Sequence, residues 1–166
     1  MRLGLIGLGR IGAFHAETLT ALDNVEGLVV TDALPEVTER IAGKYGAEPA
    51  ANPAELLRRD IDGVVIAAAT DAHPQLILAA VEAGLPVFCE KPVAKGAAEA
   101  AEVLRHCADA RVQIGYNRRF DPGFVAARAA VRNNELGWLH TERHTVAHAH
   151  GLAGEGQEGI AKEAQP

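Results

Sequence analysis

The feature that most narrows what this chain can become is Gly7-Leu8-Gly9-Arg10-Ile11-Gly12, set between an apolar run, Leu3–Ile6, and a helical stretch, Ile11–Leu22. G-x-G-x-x-G by itself is a common glycine-rich turn. With a strand before it and a helix after it, the loop turns the chain sharply and offers the helix's first free N–H groups to an anion. Gly7 permits the turn, Gly9 lets a pyrophosphate approach the backbone, and Gly12 lets the helix pack closely on the strand. Phosphate contacts are expected along Gly7, Gly9, Arg10, Ile11 and Gly12. The plain alternative is a strand–turn–helix connection that holds nothing.

The rest of the first 137 residues keeps the same rhythm. Leu3–Ile6, Gly27–Val30, Gly63–Ala68, Pro86–Phe88 and Val112–Ile114 read as strands. Ile11–Leu22, Pro35–Lys44, Pro53–Arg58, His73–Ala83 and Ala97–His106 read as helices between them. A last helix is expected over Pro122–Asn133, with Asp121 as N-cap and Pro122 in its first turn. Runs such as Val64-Val65-Ile66 have no polar face, which suits a sheet covered on both sides. Alternating strands and helices then imply an α/β fold, a Rossmann-type doubly wound parallel sheet.

Composition removes several classes of function. The chain has 166 residues and a formal net charge of −6, with no Lys/Arg run, so nucleic-acid binding is not expected. Its longest apolar stretches, Val64–Ala69 and Leu76–Val81, fall far short of the roughly 20 residues a spanning helix needs, so no membrane partner is expected. The glycines and Arg10 interrupt the N-terminal apolar run too early for a secretion signal. Cys89 and Cys107 lack metal-ligand spacing and are expected to be buried free thiols. Together these features imply a cytoplasmic protein.

Asp32 follows the second strand, about twenty residues beyond the glycine loop. A carboxylate there can accept hydrogen bonds from ribose hydroxyls and would repel a 2′-phosphate. Ala33 and Leu34 supply no cation to recruit one, so NAD is favoured over NADP. The alternative role for Asp32 is a helix or turn cap.

Further motifs follow in order: His15; Thr70-Asp71-Ala72-His73; Glu90-Lys91-Pro92; and Gly115-Tyr116-Asn117-Arg118-Arg119-Phe120. In this order and spacing the chain, over about residues 2 to 140, resembles the N-terminal NAD-binding half of the Gfo/Idh/MocA oxidoreductases. Within that family it is most similar to inositol 2-dehydrogenases. The resemblance implies hydride transfer between a cyclitol or sugar hydroxyl carbon and NAD. It makes Lys91 the catalytic residue, lining the site and assisting removal of the hydroxyl proton, its charged form disfavoured by burial. It places Ala69, Thr70 and His73 against the cofactor and Glu90 beside the nicotinamide ribose, and it brings Asn117 and Arg118 toward a polyol or sugar substrate.

Each of these residues has a plainer role open to it. Lys91 and Glu90 could be salt-bridge partners, His73 a helix-start residue beside Pro74, and Asn117 and Arg118 a basic hinge. His15 is expected to be mainly structural.

Full-length members are about twice as long and carry a second, substrate-holding domain. It contributes an Asp and a His, separated by three residues, that complete the proton relay with the lysine. No Asp-x-x-x-His occurs after Arg119 here. Gly137–His140 still resembles entry into that domain, and then the similarity stops. Residues 1–137 are therefore expected to form the cofactor domain. Residues 138–166 are expected to be a poorly ordered tail in place of the substrate domain, the product of a truncation or a shifted reading frame. Two readings follow: an oxidoreductase represented by its cofactor half, or an NAD-binding module or sensor that turns nothing over. His140, His144 and His148 lie four apart, but no metal site is expected. Apolar surface around Phe120 and Trp138 is expected to promote self-association.

Overall fold

The computed structural model describes residues 1–138. Residues Met1–Tyr116 form one compact unit, and a second begins at Asn117. The first unit contains six strands: β1 (Arg2–Ile6), β2 (Gly27–Thr31), β3 (Glu48–Pro49), β4 (Gly63–Ile66), β5 (Val87–Cys89) and β6 (Val112–Ile114). Its helices are α1 (Arg10–Thr20), α2 (Pro35–Tyr45), α3 (Pro53–Leu56), α4 (His73–Glu82) and α5 (Ala97–His106), with a 3-10 turn at Thr70–Ala72. All strand pairings are parallel, in the order β3-β2-β1-β4-β5-β6. The order reverses between β1 and β4, which is where open α/β sheets leave a crevice at their carboxyl ends.

Side-chain alternation builds the two faces. Leu5, Leu28, Val30 and Val65 pack with Ala16 of α1 and Ile41 of α2. Their strand neighbours Ile6, Val29, Val64 and Ile66 join Leu56 of α3, Ile77 of α4 and Val103 of α5 in a second core. Successive residues of one strand feed opposite faces, so each central strand must be apolar throughout. That is why the sequence shows runs there and not alternation.

Capping sets several helix starts. Asn52 Oδ1 accepts from the Glu55 N–H at 2.9 Å, and Glu55 Oε2 reaches back to accept from the Ala51 N–H at 3.1 Å. This reciprocal pair, with Pro53 in the first turn, initiates α3. The bond from Ala51 is also the main reason the Glu55 carboxyl sits below its ordinary range. Helix α2 stops at Gly46, which takes the left-handed conformation at φ 65°.

Differences from the sequence reading are local. Strand β3 was not anticipated, because two residues that include a proline carry no strand pattern; it lies at the sheet edge, where proline is tolerated. The run expected as a strand to Ala68 leaves the sheet after Ile66, though the Ala67 N–H still donates to Ile6 O at 2.8 Å.

The described part of the second unit holds a 3-10 turn at Asn117–Phe120 and helix α6 (Pro122–Arg132). Asp121 caps α6 by accepting from the Gly123 N–H at 3.0 Å. No residue of α6 is buried, and Phe120 and Trp138 are exposed. The expected tail, apart from Trp138, and its histidines lie outside the described residues.

Candidate dinucleotide site

The site residues of the first unit converge on the carboxyl ends of β1, β2, β4 and β5. Gly7 leaves β1 with φ 89°, and its N–H donates to Thr31 O at 2.9 Å. A Cβ on Gly7 would run into the Ala68 backbone, and one on Gly12 would run into Gly7 O. A Cβ on Gly9 would meet nothing. Two glycines are therefore demanded by the protein's own packing, while the third faces open space. An anion approaching the backbone needs such a gap, so the residues present fit a dinucleotide pyrophosphate. Helix α1 has no side-chain cap and no acidic residue in its first turn, so nothing there competes with or repels the anion.

Asp32 is held at the edge of this gap. Its Oδ2 accepts from the Leu8 N–H at 2.6 Å and its Oδ1 from the Leu34 N–H at 3.1 Å. Asp32 is thus a turn cap, as one alternative had it. A carboxylate has about four acceptor positions, so it also keeps capacity for ribose hydroxyls. Exposed Ala33 and Leu34 add no cation beside it.

On the other side of the switch point, Ala69 is exposed and Thr70 half-buried at the turn after β4. Glu90 follows β5, and its Oε1 lies 2.9 Å from His15 Nε2 of α1. The His15 ring meets Phe88 edge-on at 5.7 Å. Gly115 leaves just enough room for this arrangement, since a Cβ there would come within 3.0 Å of Phe88 Cζ and 3.4 Å of the Glu90 carboxylate. His15, read as mainly structural from sequence, is therefore the residue that fixes Glu90 and links α1 to the β5 end. The available signal was its position one helical turn beyond Gly12.

Two placements differ from what the resemblance implied. His73 is 1% exposed, with Nδ1 2.7 Å from Pro92 O and Nε2 3.0 Å from Ala68 O. Both ring nitrogens are committed to backbone carbonyls, so the ring has none left for a cofactor. Lys91 is exposed, so the burial expected to disfavour its charge is not supplied by the described residues. It also makes no ion pair among them, so the salt-bridged surface lysine is not found either. Cys89, directly before Glu90, is fully buried, and burial together with the Glu90 charge pushes its thiol up to about 12.

In the second unit Arg118 Nη1 lies 3.4 Å from Asp121 Oδ2, and its guanidinium sits over the Phe124 ring at 5.8 Å. Asn117 is exposed at the start of the 3-10 turn.

Away from the site, an open concavity of about 390 Å³ lies between the ends of α4 and α5 and the starts of β5 and β6, lined in part by Arg105, Asp109 and Arg111. It is at the opposite end of the strands from the glycine loop and takes no part in the site. Among the described residues no cluster of three His, Cys, Asp or Glu could hold a metal, and no helix is long and apolar enough to cross a membrane.

Comparison with known proteins settles the family. Residues 1–118 match the Gfo/Idh/MocA oxidoreductase family, NAD-binding Rossmann fold. The chain belongs to the Gfo/Idh/MocA family. Its first unit is the NAD-binding Rossmann domain of that family. The chain is 40% identical over 139 residues to an inositol 2-dehydrogenase of Rhizobium meliloti, covering 82% of this chain and 42% of the relative. It is 36% identical over 149 residues to a myo-inositol 2-dehydrogenase of Thermotoga maritima, covering 87% and 45%. Among solved structures, scyllo-inositol dehydrogenase from Lactobacillus casei with bound NAD(H) and scyllo-inositol superposes with a TM-score of 0.73 at 27% identity, covering 82% and 42%. The chain thus spans less than half the length of these relatives.

Proposed function

We propose that this Gfo/Idh/MocA chain serves hydride transfer between NAD and a hydroxyl carbon of a cyclitol or sugar, as the cofactor-binding part of an inositol 2-dehydrogenase-like activity. We place it in the cytoplasm, where its two free buried cysteines suit a reducing compartment, and we take the cofactor domain to run over residues 1–137. The observation that carries the reading is the sheet edge itself. The open approach to Gly9, the Asp32 carboxylate and the exposed Lys91 amine all stand at the carboxyl ends of strands in one unit.

When bound, NAD supplies the two-electron acceptor. The amides of the α1 first turn would hold the pyrophosphate, and Asp32 would accept from the ribose hydroxyls. Ala69, Thr70 and Glu90 line the path toward the reacting end. Lys91 Nζ is reachable by a polyol on this unit, and it would take or relay the proton of the substrate hydroxyl once bound cofactor and substrate cover it and disfavour its charge. In the second unit, Asn117 and Arg118 are side chains of the hydrogen-bonding kind a polyol requires.

Calorimetric titration with NAD and NADP, followed by a turnover assay with myo-inositol, tests the reading. The expected result is NAD binding tighter than NADP binding, with any turnover abolished by Lys91→Met while NAD affinity is kept. Absence of binding to either nucleotide would refute it. A second reading, a module that binds NAD without turnover, is favoured by one observation: no titratable group among the described residues partners Lys91. NAD binding with no turnover of polyols selects that reading.

A further inference from the structure

We propose that His73 is a positioning residue for Lys91. One imidazole ties the carbonyl of Pro92, the residue after Lys91, to the carbonyl of Ala68 beyond β4, and so sets the direction in which Lys91 leaves the sheet edge. The inference rests on the proposed role of Lys91.

Nδ1 lies 2.7 Å from Pro92 O and Nε2 3.0 Å from Ala68 O, on opposite sides of a planar, rigid ring that is 1% exposed. A carbonyl only accepts, and an imidazole with a single N–H can donate to one of them; we place that N–H on Nδ1, donating to Pro92 O across the shorter distance, with Nε2 lying against Ala68 O. The ring therefore lies between the two segments that carry site residues, 68–70 and 90–92. The Lys91–Pro92 peptide is cis. Val93 and Ala94 are buried and fix how deeply the second segment sits. Apolar contact is non-directional, however, and does not decide where the Pro92 carbonyl points; a hydrogen bond does. An ion pair between Asp71 Oδ1 and Lys95 Nζ, at 2.6 Å, joins the stretches that follow these two segments. Its side chains are 66% and 68% exposed, so water and salt weaken it. The buried histidine is the directional link of the two.

The chain's lysines are Lys44, Lys91, Lys95 and Lys162, few enough to follow singly. Reductive methylation with 13C-formaldehyde gives each a separate NMR signal, and Lys91→Arg assigns the one of interest. Asparagine places an N–H where Nδ1 stood, and glutamine places one where Nε2 stood. His73→Asn thus keeps the bond to Pro92 O, and His73→Gln keeps only the contact with Ala68 O. The expected result is that His73→Gln moves the Lys91 signal, His73→Asn leaves it near its original position, and Lys44 is unaffected by either. Any other pattern for Lys91 overturns the proposal, because a purely space-filling histidine is better replaced by the larger glutamine. Should either variant fail to fold, 15N–1H correlation of the histidine rings in the unmutated protein decides. His73 Nδ1 must carry a slowly exchanging hydrogen, and a bare Nδ1 overturns the proposal. Neither measurement contains nucleotide, so a failure of the NAD reading leaves this test standing.

Discussion

The backbone N–H of Leu8 donates to Asp32 Oδ2 across 2.6 Å, joining the middle of the glycine loop to the acidic residue that follows β2. A hydrogen bond to a charged acceptor contributes about 1.5–3 kcal/mol. Asp32 therefore shapes the loop, and on the proposed reading it is also the residue that meets the cofactor's ribose. Asp32→Ala is expected to lower stability by about that amount and to weaken NAD binding. Asp32→Asn keeps an oxygen for Leu8 but removes the charge that repels a 2′-phosphate. It gives up the bond from the Leu34 N–H, so it should lose less stability than Asp32→Ala and narrow the preference for NAD over NADP. Urea unfolding and paired calorimetric titrations check this; an unchanged preference in Asp32→Asn would count against the assignment.

The three loop glycines separate stability from binding. A Cβ at Gly12 meets the Gly7 carbonyl, so Gly12→Ala should destabilise the fold by about 1–3 kcal/mol through overpacking. A Cβ at Gly9 meets nothing in the protein, so Gly9→Ala should leave the melting temperature close to unchanged. It should nonetheless reduce NAD affinity, because the methyl occupies the pyrophosphate's approach. Thermal melts beside titrations test the pair, and equal binding by Gly9→Ala and the unmutated protein would remove the pyrophosphate from this position.

In the second unit Phe120 is 69% exposed and Trp138 92%, and α6 buries none of its residues. Exposed aromatic surface of this kind drives association. The chain is expected to show a concentration-dependent mass by light scattering, reduced in the double variant Phe120→Ser, Trp138→Ser. A monodisperse monomer across the concentration range would contradict this.

What could be read from the residues divides along a physical line. The glycine loop was legible because its three positions do three different steric things within six residues, and the flanking apolar run and helix supply the context. For Asp32 the cap and the ribose contact were posed as alternatives; the cap is what the structure shows, and a carboxylate's further acceptor positions mean that it does not exclude the other. The His15–Glu90 pair joins residues 75 apart, and no local period links them. The carbonyls that His73 faces leave no mark in a sequence, because every residue has one. Strand β3 escaped because its pairing partner, not its composition, makes it a strand. The burial expected of Lys91 was carried over from whole enzymes, whose length this chain does not span.

Thr31 is fully buried, and its hydroxyl is the one buried side-chain oxygen or nitrogen among the described residues without a hydrogen-bond partner. Burying an unpaired hydroxyl costs about 1–3 kcal/mol. Valine has nearly the same shape and suits a central strand. Thr31→Val is therefore expected to raise stability by about 1 kcal/mol, leaving the backbone bond from the Gly7 N–H to Thr31 O in place. Urea denaturation measures it, and a loss of stability would show that the hydroxyl is bonded in solution.

Alkaline stability follows from Cys89. Its thiol is pushed up to about 12, above the ordinary range near 8.5, first by burial and then by the charge of Glu90. Burial raises Cys107 in the same direction. A thiol that holds its proton longer in the folded state than in the unfolded state favours folding below the unfolded pKa. Above that pKa the unfolded chain binds fewer protons than the native one, so stability falls as pH rises from about 9 toward about 12. Cys89→Ala should lose some stability at neutral pH to the missing sulfur, yet show a shallower decline over that alkaline window. Denaturation curves at a series of pH values test the slope, and parallel declines for the variant and the parent would assign the alkaline transition elsewhere. The same buried, protonated thiol should resist iodoacetamide at neutral pH until the chain unfolds.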